Sequence, residues 1–279
     1  MSALYLSNVS IGGFSFYQLL SSGEMDIFGY LETVRHRFGL RSVDLWNGFF
    51  TNRDDFFYPV ADDDTLRKIK ASLDEKELTV ANFAVDRAHI WDPDPVIRER
   101  LHRNALDYLR AAELLGARTV RIDTSRGPVE RSEEQFAYTV ERYREYAQRA
   151  ADGGYTVGPE NHTGISLDPV WMKELAEAVD HPGYGVLLHI GRWQEGAPQG
   201  EPLLAPWVNH VHLDAKAAAS EDTVNIMRML TDRGYRGYWA VEYNAPAHPY
   251  IELEWALASA KRLLARAGSP ADGQGNGGT

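Results

Sequence analysis

The sequence predicts a single (β/α)8 barrel of the α/β class, and three observations carry that expectation. Eight short segments rich in Val, Leu, Ile and aromatics alternate with eight longer stretches of helical periodicity. The 279 residues suffice for one large core, and roughly 265 of them for eight strand–helix units is the usual arithmetic of that fold. Polar, chemistry-bearing side chains recur at the ends of the short segments, where barrel enzymes place their chemistry.

The strands are expected at Leu4 to Val9, Ser42 to Trp46, Thr79 to Phe83, Thr119 to Asp123, Thr156 to Asn161, Gly185 to His189, His210 to Asp214 and Tyr238 to Tyr243. The segment Asp94 to Leu115 shows the helical pattern between them. Val96, Ile97, Leu101, Ala105, Leu109 and Leu114 recur mostly at intervals of three or four, and Gly116 supplies a stop. A doubly wound open sheet is the competing arrangement. Against it, Gly12-Gly13 after the first strand falls short of the Gly-x-Gly-x-x-Gly that dinucleotide-binding sheets carry.

No interior linker divides the chain, so residues 1–266 are expected to form the barrel. Residues 267–279, rich in Gly, Pro and Ser, are expected to be a disordered tail. The polar and aromatic stretch Thr51 to Asp64 reads as an elaborated loop after the second strand.

Composition narrows the function classes. With no cysteine there is no disulfide, no thiolate metal site and no Cys nucleophile, so a metal must be held by imidazole or oxygen. Forty acidic residues against 29 Lys and Arg give a formal charge of −11, which repels a nucleic acid partner. Neither a secretory signal nor an apolar run of the ~18–20 residues needed to span a bilayer is visible. The expectation is a soluble, cytoplasmic protein with no membrane partner.

The strand ends supply the candidate site. The second ends in Asp44 and Trp46 and the third in Asn82, while the fourth carries Arg121 and Asp123. The fifth reads VGPENHTG, with Glu160 and His162 on one face by strand alternation. The sixth reads VLLHIGRW, ending in His189 with Arg192 close behind. The seventh reads VNHVHLDAK, with His210, His212 and Asp214 on one face, and the eighth, WAVEYN, ends in Glu242. Alone, each group has a structural explanation as a hydrogen-bonded residue or a helix cap. Together, Glu160, His189, His212 and Glu242 come from four adjacent strands onto one rim. Carboxylates crowded there repel, and a divalent cation is the simplest neutraliser.

At these residues the chain resembles the sugar isomerase/epimerase superfamily, the xylose-isomerase-like TIM barrels that include ketose 3-epimerases and hydroxypyruvate isomerases. The resemblance covers the whole barrel and is carried by the order and spacing of PENH, HVH and VEYN. It implies a divalent metal ion held by Glu160, His189, His212 and Glu242, with Glu160 and Glu242 doubling as the proton-transfer pair. It further implies a small carbohydrate-like substrate and a homo-oligomer. His189 departs from the pattern, which usually has Asp at that place, and HLDAK departs after H-x-H. The formal ligand charge drops from −3 to −2. Two imidazoles and two carboxylates suit manganese, iron, cobalt, nickel or zinc better than magnesium, with manganese the first expectation. The sterner reading is that metal binding is lost and His189 has another role.

The expected activity is that of a metal-dependent sugar isomerase or epimerase working by proton abstraction and enediolate stabilisation. His162 is a candidate base or substrate contact, or else a hydrogen-bond partner for a carboxylate. Trp46, Asn82 and Arg192 are the other candidate substrate contacts, Arg192 being suited to a carboxylate, phosphate or polarised carbonyl or else to a surface salt bridge. Trp46, Phe49, Phe50, Phe56, Phe57 and Tyr58 form either an aromatic wall over the barrel mouth or a packed loop or dimer contact. Three alternatives stand beside the leading one: a lyase of the same superfamily, C-glycoside-cleaving or a dehydratase, acting on an oxidised sugar or aryl glycoside; phosphodiester cleavage of the endonuclease IV type; and a non-catalytic barrel subunit. The acidic chain, with Asn82 on strand three, speaks against the nuclease.

Overall fold

In the computed structural model, residues 8–246 and 248–269 are described. The strands are β1 (Val9–Ile11), β2 (Ser42–Trp46), β3 (Thr79–Val85), β4 (Thr119–Ile122), β5 (Thr156–Gly158), β6 (Val186–His189), β7 (Val208–Leu213) and β8 (Tyr238–Val241). All pair in parallel, in the orders β1-β8-β7-β6 and β2-β3-β4-β5. Bridges Gly12–Asp44 at one seam and Val157–Tyr184 and Glu160–Leu187 at the other close the two halves into one barrel. The open-sheet alternative falls with that closure.

Both seams are made by specific residues. At the first, Tyr30 donates its hydroxyl to the Ile11 carbonyl (2.7 Å) and lies 3.0 Å from that of Asp44, while Ser42 Oγ donates to Val9 (2.9 Å). At the second, Val157 N–H donates to Gly183 and Leu187 N–H to Pro159, both at 2.9 Å. Gly158 lets the backbones meet there, since a Cβ on it would lie 1.7 Å from the Gly185 oxygen, and Gly185 leaves room for the Asn209 side chain.

Helices follow the strands and bury one face each. Asp94 caps the helix Pro95–Leu115 by accepting from Val96 N–H, and Gly116 ends it at φ 73°. Leu101, Ala105 and Leu109 of the expected stripe are buried, joined by Tyr108, Ala112 and Leu115, while Val96 in the first turn is exposed. After β6 the expected helix shrinks to the single turn Glu201–Leu204.

Several strand bounds differ from expectation, with physical reasons. β5 stops at Gly158 because Pro159 has no N–H for the ladder, so Glu160 is reached by an isolated bridge. β3 runs on to Val85, paired to Ile122. Of the expected first strand only Val9 belongs to β1, and residues 4–7 lie outside the described residues. The expected tail begins at Ala267, which is still helical, and 270–279 lie outside the described residues.

Gly158→Ala is expected to open the β5–β6 seam. Overpacking of about 3 kcal/mol corresponds to a melting temperature lower by ~6–12 °C in a chain of this size, measurable by thermal circular dichroism. An unchanged melting temperature would show that the seam does not need this close approach.

Candidate metal centre and active site

Four donors converge at the carboxyl ends of β5 to β8. Glu160 lies two residues beyond β5, His189 ends β6, His212 sits within β7 and Glu242 follows β8. One ligand atom from each lies within 4.8 Å of the others. His189 Nδ1 is 3.1 Å from Glu160 Oε1 and 3.8 Å from Glu242 Oε2. His212 Nδ1 is 2.5 Å from Glu242 Oε2 and 3.5 Å from Glu160 Oε1. Metal bonds of ~2.1 Å in a tetrahedral set imply donor separations of ~3.4 Å, so these spacings suit a single cation.

The tautomer of His212 decides whether it can serve. Its Nε2 lies 2.7 Å from Asp44 Oδ2, and His210 Nε2 reaches the same oxygen at 2.8 Å. With its proton donated to Asp44, the ring turns a bare Nδ1 toward Glu160 and Glu242, as a ligating histidine must. Nδ1 faces Glu242 Oε2 at 2.5 Å and Glu160 Oε1 at 3.5 Å, so a proton or a cation between them is strongly favoured. The same demand drives its ionisation: burial opposes charging His212, but Asp44 and Glu242 push its pKa well above the ordinary value. Burial would raise Asp44, yet His212 and His210 hold it far below the usual carboxylate range. The residues present therefore fit a divalent ion with nitrogen and oxygen donors.

Two other clusters lie close by. Asp44, His210 and His212 form one, but their facing atoms are already joined by hydrogen bonds. Asp123, Glu160 and His162 form the other, and Arg121 fills it with positive charge. The Arg121 Nη1 reaches Asp86 (2.8 Å) and Asp123 (3.1 Å), and its Nε lies 3.3 Å from Glu160 Oε2. Arg192 takes the other Glu160 oxygen at 3.3 Å. Glu160 thus has cations against both oxygens and is 1% exposed. Burial would raise its pKa, but His162, His189 and His212 keep it well below the ordinary value.

A cavity of about 210 Å³ opens above this centre, lined by Phe14, Trp46, Asp86, Arg126, His162, His212 and Glu242 among others. His162 Nδ1 lies 3.0 Å from Asp123 Oδ2. Burial lowers the His162 pKa, but Asp123 and Glu160 outweigh it and raise it to about 9. Trp46 presents its ring as a wall: Nε1 donates to Asp86 Oδ2 (2.9 Å), Phe14 meets it edge-on, and Gly48 leaves room for it.

The other expected contacts fall elsewhere. Asn82 is fully buried and off the cavity lining, donating to Asp44 Oδ1 at 2.7 Å and accepting from Thr119, so what it does here is support Asp44. Arg192 is one-third exposed and tied to Glu160, outside the cavity lining. Of the aromatic cluster only Trp46 lines the cavity. Phe49 and Phe50 are buried in the core, and Phe57 packs under Arg100, its carbonyl held by Asn104, because the helix Pro95–Leu115 offers these partners. Sequence reasoning missed Asp86 and Arg126. Asp86 directly follows β3, a signal hidden while that strand was ended at Phe83.

The profile of the xylose isomerase-like TIM barrel family matches residues 36–265. The chain belongs to that family. It is 29% identical over 174 residues to an inosose dehydratase of Erwinia tasmaniensis, covering 49% of this chain and 57% of that protein, so the match spans little more than half the relative's length. A D-psicose 3-epimerase of Clostridium cellulolyticum H10, solved with D-tagatose, superposes with TM-score 0.71 at 17% identity over 92% of this chain and 99% of that one. A xylose isomerase-like TIM barrel protein of Mycobacterium smegmatis, solved with magnesium, gives 0.67 at 15% identity over 88% and 90%. The proteins that this xylose isomerase-like barrel is similar to thus include one named as a sugar epimerase and one named as a dehydratase.

Asp44→Asn tests the support of His212. Losing the anion that two imidazoles share is expected to weaken Mn²⁺ binding about 10–100-fold. Stability should fall by about 3–5 kcal/mol, since a buried pair is broken. Metal titration and chemical denaturation read the two effects, and an unchanged metal affinity would remove Asp44 from the account.

Proposed function

We propose that this protein is a divalent-metal-dependent enzyme that removes a proton beside the carbonyl of a sugar or sugar-like ketone. The observation that carries the reading is the four-donor cluster opening onto a cavity that Glu242 and His162 also line. A divalent cation bound by Glu160, His189, His212 and Glu242 would stabilise the enediolate that proton removal creates. Manganese, zinc, cobalt, iron and nickel suit two nitrogens and two oxygens, and magnesium suits them less.

The work of moving protons is unequal between the two glutamates. Glu160 is buried with a cation at each oxygen, so it is a poor base and acts as ligand and counter-charge. Glu242 faces the cavity and is the carboxylate available to take a proton. His162, protonated at neutral pH and held by Asp123, is the acid that can return one. Trp46 packs against the apolar face of the substrate and keeps water off the reacting carbon. Returning the proton to a neighbouring carbon or to the opposite face gives an isomerase or epimerase.

A second reading, dehydration, is favoured by the match to an inosose dehydratase and by the withdrawal of Glu160 from proton transfer. There the C–H bond breaks toward Glu242, the β C–O bond breaks, C=C forms, and His162 protonates the departing hydroxyl so that water leaves.

Ketoses and keto-inositols incubated with Mn²⁺-loaded protein in deuterated water distinguish the readings. A one-unit mass gain with a new stereoisomer marks isomerisation or epimerisation. Loss of 18 mass units with enone absorbance marks dehydration. Glu242→Gln is expected to lower kcat by about 10²–10⁴-fold in either case, and a chelator to abolish it. Neither exchange nor dehydration with any member of the panel would leave a non-catalytic barrel.

A further inference from the structure

We propose that Asp214 is a positioning residue for the metal centre, holding the His189 ring so that its Nδ1 faces the other three donors. This rests on the reading of Glu160, His189, His212 and Glu242 as one metal site.

His189 is wholly buried, and its backbone is clamped by Asn161, which accepts from its N–H (2.7 Å) and donates to its carbonyl (2.8 Å). Its Nδ1 faces Glu160 and Glu242, while Nε2 is turned away and has no hydrogen-bond partner. An imidazole that offers Nδ1 to a metal carries its proton on Nε2, and a buried N–H with no acceptor is destabilising. Asp214 Oδ2 lies 3.9 Å from Nε2, too long for a hydrogen bond as it stands, and a shift of about 1 Å of ring or carboxylate would let it accept the Nε2 proton. Its other oxygen accepts from Ala217 N–H at 2.7 Å, which anchors the carboxylate beside the ring.

His212 shows the same device completed, with Nδ1 inward and Nε2 on Asp44. Register explains why Asp214 is available: His189 pairs with His212 across β6 and β7, and Asp214 stands two residues further along the same face. Asp214 therefore places a carboxylate beside the His189 ring on the side away from the other three donors. It also fixes the tautomer that lets a neutral ring bind metal.

The test is Mn²⁺ titration of the metal-stripped full chain for wild type, Asp214→Asn, His189→Asp and the double variant. Asparagine caps a helix as well as aspartate, so thermal unfolding of the stripped proteins should be unchanged by Asp214→Asn. The expected result is an Mn²⁺ Kd raised about 10–100-fold in Asp214→Asn. In the His189→Asp background, with no ring left to orient, the same change should shift Kd by less than about twofold. An unchanged Kd in the single variant overturns the proposal. Equal losses in both backgrounds overturn it too, because the carboxylate then acts without His189. A wild-type chain that takes up no Mn²⁺ instead overturns the metal site itself, and the proposal with it. Should His189→Asp not fold, side-chain nitrogen NMR of the Zn²⁺-loaded wild type and Asp214→Asn decides the matter. A protonated Nε2 on His189 whose signal shifts in the variant supports the role, and an unprotonated Nε2 overturns it.

Discussion

A single buried carboxylate, Asp44, ties the barrel together across its interior. It leaves β2, accepts from Asn82 on β3, and receives His210 and His212 from β7 on the far wall. A charge with 1% exposure is stable there only because three donors converge on it. The three donors, in turn, have fixed orientations only because the barrel is closed. Closure at the β1–β2 seam, where Asp44 bridges Gly12, is what brings strand two within reach of strand seven. The architecture and the tautomer of a candidate ligand are therefore one constraint seen twice.

From that constraint follows a division of the rim into two sides. On one, Glu160, His189, His212 and Glu242 gather nitrogen and oxygen donors and suit a cation. On the other, Arg121 is itself the cation, and it binds Asp86, Asp123 and Glu160 into a rigid block. Burial would discharge Arg121, but Asp123, Asp86 and Glu160 push its pKa well above the ordinary value. Glu160 belongs to both sides, which is why it is held too tightly to move protons. His162, in contrast, touches the block through Asp123 alone and keeps a third of its side chain accessible.

Much of this was legible in the sequence, for an identifiable reason. Apolar β-branched runs that stop at Glu160, His189, His212 and Glu242 betray strand ends, and strand ends in a barrel share one rim. The helix Pro95–Leu115 was equally plain from its repeat of three and four, its Asp94 cap and Gly116. Contacts between strands distant in sequence were not legible. Nothing local announces that Asp44 will meet His212, 168 positions away, or that Arg121 will sit among three carboxylates. Asn82 looked like a substrate contact because position alone does not show depth inside the barrel. The aromatic run after β2 stayed open between a wall and a packed loop for a related reason. Its partners Arg87, Arg100, Asn104 and Tyr108 lie on the helix Pro95–Leu115 and the loop before it, where they draw Phe56 to Tyr58 away from the mouth.

Charge balance explains why histidine at position 189 suits this barrel. Five carboxylates crowd the centre: Asp44, Asp86, Asp123, Glu160 and Glu242. Arg121, Arg192 and protonated His162 offset three of them. Without a metal the raised pKa of His212 supplies a fourth positive charge; once a cation displaces that proton, two negative charges are left, which is the charge a divalent ion brings. An aspartate at position 189 would leave three in the same small volume, and the excess would have to be met by a second proton or a further arginine. Asp214 and Arg126 stand at the solvent-facing edge, where screening makes their charges count for less. Histidine at this strand end thus keeps the ligand field near neutrality once a cation is bound. The anionic block on the Arg121 side can then remain ionised without disturbing it.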